Sequence, residues 1–302
     1  IIMDVPVPSE FALGAYKDNV GAMVNRGIEI ALGYNNRWKD WSLSVNGNFT
    51  YNRNEIMNLG GVQRMINGND IKQIGSPINS YYAYKAVGFF QSDAEAQAYM
   101  DKYKGKEGYP FTSDFKAGDI IYSDTNGDGK MTSEDRVICG SKDPKFTYGL
   151  NINAGWRGFD LSAIFTGAAG VSRFFNTQMY GEFSGDTTHP STAWLDAWST
   201  ENPDGKMPRV AVNSPSSSMN TVSTFWIQNA NFLRMKSIQL GYTFPSEWIK
   251  PSGLSNLRIY YSGENLFTID NLMINVDPEA PEGHGSHYPL VQTHSIGVNL
   301  TF

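Results

Sequence analysis

One cysteine, Cys139, among 302 residues excludes an internal disulfide. Its thiol reads as structural or incidental, because a nucleophile would want a histidine partner. Charge is scarce too. Asp, Glu, Lys and Arg make up 18% of the chain, and the net charge of −6 leaves no basic footprint for nucleic acid. No run approaches the roughly 18 apolar residues of a membrane-crossing helix, a test that alternating barrel strands escape because they average out as mildly polar. The chain opens on "IIMDVPVPSE", without an initiator methionine or a basic-then-apolar segment. That opening reads as the interior of something longer or as a processed end.

What the sequence does contain is alternation. Aromatics reach 13%, and 30 glycines suit an all-β chain with many turns. In "WSLSVNGNFTY" (41–51), Trp41, Leu43, Val45, Gly47, Phe49 and Tyr51 share one parity, and Ser42, Ser44, Asn46, Asn48 and Thr50 share the other. Successive side chains of a strand point to opposite faces, so this segment has one apolar face and one wholly polar face. The pattern recurs in "RGIEIALGY", "FTYGLNINAGW", "FDLSAIF", "SIQLGYTF", "LRIYYSGENLF" and the terminal "SIGVNLTF". A soluble sandwich alternates as well, but its outer faces carry more Lys and Glu. Here the polar faces are Ser, Thr, Asn and Gly, and aromatics such as Trp41, Tyr51, Trp156, Tyr242 and Phe302 sit at strand ends. These features predict a transmembrane antiparallel β-barrel whose apolar face meets lipid and whose polar face lines a wet lumen.

Connections fall into two kinds. "NNRWKD" (35–40) and "RG" (157–158) are short, whereas 54–79, 91–144, 170–224 and 268–291 are long. Short turns at one rim and long loops at the other suit an outer-membrane barrel, and structureless loops of such length are rare in a compact soluble domain. Helices are expected at 92–103 and 191–200 within these loops.

"DTNGDGKMTSED" (124–135) has calcium-loop spacing. Asp124, Asn126 and Asp128 stand at positions 1, 3 and 5, Gly129 permits the turn, and Lys130 offers a backbone carbonyl. Asp135 closes the loop where a bidentate Glu is usual. The shorter final carboxylate predicts a structural Ca²⁺ held at roughly 10⁻⁴ to 10⁻³ M. The same residues equally describe a metal-free Asx- and Gly-rich turn. His284 and His287 lack a second ligand pair, and Glu182, Asp186, Asp196, Glu201 and Asp204 read as solvated loop charges. Tyr180, Phe183, Trp194 and Trp198, with Phe174 and Phe175, would stack on sugar rings or a partner protein, or else form a small core of their own.

Several segments resemble one family. "GDIIYSDTNGDGKMTSEDRVICGSKDPKFTYGLNINAGWRGFDLSAIFTGAAG" (118–170) looks like the signature region of SusC-like, TonB-dependent outer-membrane transporters. "NRGIEIALGYNNRWKDWSLSVNGNFTYNRNEI" (25–56) resembles an earlier barrel hairpin. "STFWIQNANFLRMKSIQLGYTFP" (223–245), "LRIYYSGENLFTIDN" (257–271) and "YPLVQTHSIGVNLTF" (288–302) resemble closing strands. The resemblance implies a nutrient importer of the bacterial outer membrane, not an enzyme. It implies a SusD-like surface lipoprotein as lid, an oligosaccharide or peptide as substrate, and coupling to the TonB complex through a plug. It also makes Phe302 the C-terminal signal for barrel assembly. Residues 1–302 then read as the C-terminal part of the barrel, with 91–144 and 170–224 as long extracellular loops. Plug and N-terminal domains have no counterpart here, and a 22-stranded barrel needs roughly 220 residues in strands alone. The alternatives are a self-contained passive porin and a secreted, calcium-stabilised carbohydrate-binding β protein.

Overall fold

The computed structural model describes residues 3–5, 16–175, 190–211, 218, 221–282 and 288–302. A short pair comes first, β1 (Met3–Val5) and β2 (Tyr16–Asp18), then a long hairpin, β3 (Gly21–Trp38) and β4 (Trp41–Leu59). Four short strands follow, β5 (Arg64–Asn67), β6 (Asp70–Gln73), β7 (Ser80–Tyr84) and β8 (Ala86–Phe89). Helix α1 (Asp93–Tyr103), β9 (Ile120–Tyr122) and β10 (Arg136–Ser141) come next. A second hairpin, β11 (Phe146–Trp156) and β12 (Phe159–Ala169), precedes the short β13 (Ser172–Phe174) and β14 (Ile227–Asn229). Three long strands end the chain, β15 (Phe232–Thr243), β16 (Asn256–Asp270) and β17 (Thr293–Thr301).

The long strands form one antiparallel sheet of seven, in the order β17-β16-β15-β12-β11-β4-β3. Neighbours in this wall are also successive long strands of the chain, so it is an up-and-down meander. β3 and β17 do not pair with each other, and the described strands therefore make an open wall rather than a closed barrel. Arg157 and Gly158, with φ of 45° and 89°, close the β11–β12 hairpin in the left-handed geometry that matches strand twist. The turn expected at 35–40 narrows to Lys39 and Asp40. Asn35 and Arg37 stay in the ladder opposite Ser44 and Ser42 and continue the polar face.

At the opposite rim the long connections fold into a cap instead of running as loops. It holds a four-stranded sheet, β10-β7-β6-β5, and the pairs β8–β9 and β13–β14. Ser92 caps α1 by accepting from Glu95 N at 3.2 Å. The helix expected at 191–200 is only a 3-10 turn, Thr192–Asp196.

Burial is inverted between the two parts. On the wall, Ile28 is 61% exposed, Leu32 73% and Ile296 82%, whereas Phe90, Ile120 and Trp226 of the cap are at most 1% exposed. Phe111 stacks on Tyr122 with ring centroids 5.1 Å apart, and Phe115 packs edge-on against Phe111. Each such side chain contributes about 1.5–3 kcal/mol on leaving water. The main apolar core of the described chain is therefore the cap's.

One buried carboxylate ties the cap's segments together. Asp119 accepts from Arg209 Nε at 3.0 Å, Ser218 Oγ at 3.2 Å and Lys116 N at 2.8 Å. Burial pushes its carboxyl above the ordinary range despite the neighbouring Arg209. Replacing Asp119 with Ala strands the guanidinium and is expected to cost about 3 kcal/mol. Tryptophan fluorescence during urea unfolding reads the cap, because Trp194, Trp198 and Trp226 are buried there. An unchanged midpoint would show that the pair does not hold it.

Candidate functional site

Register turns the two faces of the wall into rows. Near the short-turn rim, Trp38, Trp41, Trp156, Phe159, Tyr242, Ile259 and Val298 lie directly opposite one another across all seven strands. Their rings form a line: Trp41–Trp156 at 5.3 Å, Trp156–Phe159 at 6.1 Å and Phe159–Tyr242 at 4.6 Å. The line continues through Phe244 to Trp248, which is 67% exposed on the short helix Ser246–Ile249. A second group, Phe49, Tyr51 and Phe146, closes the same face toward the cap, with centroids 5.2–6.0 Å apart. Ten residues separate Trp41 from Tyr51, or about 34 Å of strand, and a tilt near 40° reduces this to about 26 Å. That height matches the apolar band of an outer-membrane barrel, about 25 Å.

The other face is polar, mostly hydroxyls and amides with scattered charges such as Glu29, Arg37, Arg234 and Glu264. One row reads Asn35, Ser44, Asn153, Ser162, Gln239, Ser262 and Ser295. Its one wall-spanning ion pair among the described residues is Arg258–Asp160, with Nε–Oδ1 at 2.9 Å and Gln239 Oε1 accepting from Nη2 at 2.9 Å. The guanidinium crosses β15 at Gly241, where an added Cβ would lie 2.5 Å from Arg258 Nη2. These residues escaped the sequence reading. The signal was present, as Asp160 and Arg258 are opposite charges at polar-face positions of two long strands.

The cap sits on the polar face, not the apolar one. Ile56, Ala168 and Phe232 belong to the polar-face parity and are buried where the cap meets the wall. The β16–β17 connection is strapped over this junction. Met273 N donates to Gln228 Oε1 at 2.9 Å, and the buried Arg234 holds Asp277, Glu279 at 2.7 Å and Thr268 Oγ1 at 3.0 Å. Further on, Glu282 bonds the Tyr81 hydroxyl and stands 3.1 Å from Lys142. Burial, with the charge of Asp70 behind it, pushes the Glu282 carboxyl up to about 7. Lys142 also stands 2.9 Å from Asp70 and so bridges the two carboxylates.

Of the aromatics expected to stack on substrate or partner, Trp194 and Trp198 are instead core residues, 6% and 8% exposed. Trp194 belongs to the same buried cluster as Phe175, Met207 and Trp226, and Trp198 Nε1 donates to Gln91 Oε1 at 3.2 Å. Their apolar rings found a dry interior within the cap, which the sequence reading held open as the other outcome. Tyr180, Phe183, Glu182, Asp186, His284 and His287 lie outside the described residues. Cys139 is half-buried beneath Tyr81, and burial pushes its thiol up to about 11, far from a nucleophile. Phe302 is 88% exposed past the end of β17, at the short-turn rim beside Ser255.

The segment 124–135 is organised by Asx turns. Asp124 accepts from Gly127 N and Gly129 N at 2.7 and 3.0 Å, Asn126 from Asp128 N at 2.9 Å, and Asp128 from Lys130 N at 2.8 Å. Asp135 is wholly buried, and its two oxygens accept from Thr125 N and Thr132 N at 2.9 and 2.8 Å. Lys106 already brings a positive charge to the Gly129 carbonyl, at 2.6 Å. Among the described residues no three His, Cys, Asp or Glu side chains converge as a metal site. The loop's shape is thus accounted for by backbone donors alone.

No family model matches the chain. It is similar to TonB-dependent receptor P3 of Formosa agariphila, 25% identical over 98% of this chain and 30% of that protein. It is 26% identical to TonB-dependent receptor SusC of Bacteroides thetaiotaomicron, over 99% of this chain and 28% of SusC. Among solved structures, the RagAB peptide transporter matches all of this chain and 32% of its own with a TM-score of 0.73 at 25% identity. The closed-closed state of the RagAB peptide importer gives 0.71. The chain therefore spans about a third of the length of the proteins it matches.

Calcium titration of the protein by calorimetry tests the remaining metal reading of Asp124, Asn126, Asp128, Lys130 and Asp135. Saturable heat between roughly 10⁻⁴ and 10⁻³ M, lost in Asp124→Ala, is the outcome that a calcium loop predicts. A flat titration leaves the Asx turns as the whole account.

Proposed function

The chain is a homologue of the SusC-like TonB-dependent receptors, and on that premise we propose that it supplies part of the wall and outer cap of an energy-coupled importer in the bacterial outer membrane. The observation that carries this reading is the uncovered apolar face, bounded at the short-turn rim by an aromatic row and toward the cap by the Phe49–Tyr51–Phe146 group. In water so much exposed Ile, Leu and Trp would aggregate; in lipid it is solvated. The apolar face meets hydrocarbon and the Asn–Ser–Thr face lines the lumen. The cap, folded inward on the lumen face, stands at the extracellular mouth.

Open edges at β3 and β17 are not viable in hydrocarbon, where each unpaired backbone group costs several kcal/mol. Further strands of the whole protein pair with them, which disfavours a self-contained porin built from these strands. Transport is binding and gating, with no bond made or broken. Neutral hydroxyls and amides give a hydrated, weakly adhesive path for an oligosaccharide or a peptide. A SusD-like lipoprotein would dock on the cap, and the TonB complex would act through a plug carried elsewhere in the protein.

Leu150 and Asn151 are neighbours on opposite faces, so one charge placed at each separates the faces. Leu150→Lys is expected to destabilise the folded barrel by about 2–4 kcal/mol in vesicles, and Asn151→Lys by less than about 1 kcal/mol. Equal costs in urea-dependent folding would remove the assignment of lipid and lumen. Phe302→Ala is expected to lower assembled protein in the outer membrane and, in proportion, uptake of a labelled oligosaccharide or peptide. Unchanged levels would count against Phe302 as the assembly signal.

A further inference from the structure

Two arginines face each other on the apolar side of the first hairpin. Arg26 of β3 lies directly opposite Arg53 of β4, one row beyond the Ile28–Tyr51 pair where the aromatic boundary ends. Below them, the outward positions of both strands down to Trp38 and Trp41 carry no charge at all. Charge therefore begins abruptly at the height where hydrocarbon gives way to headgroups.

Like charges directly opposite in a ladder are destabilising, with Cβ atoms about 5 Å apart. Slippage cannot relieve this one, because a shift by a single residue would turn the whole apolar face of the hairpin inward. One carboxylate is at hand: Glu55 accepts from Arg53 Nη2 at 3.1 Å. Arg26 is exposed and makes no ion pair among the described residues. Glu55 is thus taken by Arg53, and among the described residues the charge of Arg26 is left without a counterion on the outward face.

We propose that Arg26 and Arg53 bind the phosphate of a membrane-lipid headgroup, whose acyl chains lie along the exposed Ile28, Ile30 and Leu32 beneath. A phosphate presents several oxygens to two planar forks at once, which suits arginine better than lysine. The apolar shelf directly below the pair selects a lipid over a free anion. This inference rests on the membrane reading given above.

The test uses the full-length protein purified from outer membranes in mild detergent, delipidated and followed by native mass spectrometry. The probes are phosphorylated lipid A, enzymatically dephosphorylated lipid A and inorganic phosphate. Wild type is expected to prefer the phosphorylated lipid by about tenfold, and the Arg26→Gln, Arg53→Gln double variant to lose that preference. Arg26→Lys, Arg53→Lys should keep part of it. A preference unchanged in the glutamine variant would overturn the proposal, and so would inorganic phosphate binding as tightly as the lipid. Membrane fractionation of the same variants keeps the two readings apart. Wild type that leaves the membrane without detergent sinks the membrane reading, whereas a variant that stays inserted with its preference intact sinks only the phosphate site.

Discussion

Backbone hydrogen bonds running in phase from β3 to β17 hold this molecule's chemistry in place. Because the ladder is antiparallel and its irregularities at Ala22/Met23, Ile164/Phe165 and Met235/Ser237 lie toward the cap, residues of equal height below them line up across seven strands, and a period of two becomes two continuous surfaces. A tryptophan on one hairpin meets a tryptophan on the next only because both hairpins turn at the same level. The same phase leaves Gly241 beneath the arm of Arg258 and Gly167 beneath the ring of Tyr148, whose hydroxyl donates to the Phe232 carbonyl at 2.8 Å. Glycine at these crossings is a clearance for the neighbour's side chain.

The wall contributes little dry core of its own, which would be unsustainable for a soluble sheet. The main packed interior lies in the connections, where aromatic rings, a buried Asp119–Arg209 pair and the strap from β16 to β17 hold segments far apart in sequence. Arg234 joins the two parts, since it projects from the wall's polar face and is satisfied by carboxylates of the strap. A densely packed cap thus stands on a wall whose cap-side face is lined mainly by hydroxyls and amides.

The wall was legible in the sequence because alternation is local. "WSLSVNGNFTY" and "FTYGLNINAGW" need no partner to declare their faces, and "RG" declares its turn. The cap was not. Its core draws Tyr84, Phe111, Trp194 and Trp226 from stretches without period, and only folding shows that Trp194 and Trp198 face inward. At 124–135 the spacing specified the turn well, because Asx side chains and glycines at those intervals bond the backbone whether or not a cation is offered. Charges on the wall were visible but unremarked. Arg258 and Asp160 stand two strands apart, and only register brings them together.

The distribution of cap residues along the chain also sets an order of assembly. The hairpins β3–β4 and β11–β12 close on neighbouring residues and form quickly once made. The cap core joins Tyr84 to Trp226 and receives Leu272 and Met273 from beyond β16, so it is completed only after nearly the whole chain has emerged. Until then its aromatic rings are exposed, on the side of the sheet that will not be sheltered by lipid. Between the first hairpin and the arrival of the strap, the cap's apolar surface therefore has no complete core to enter.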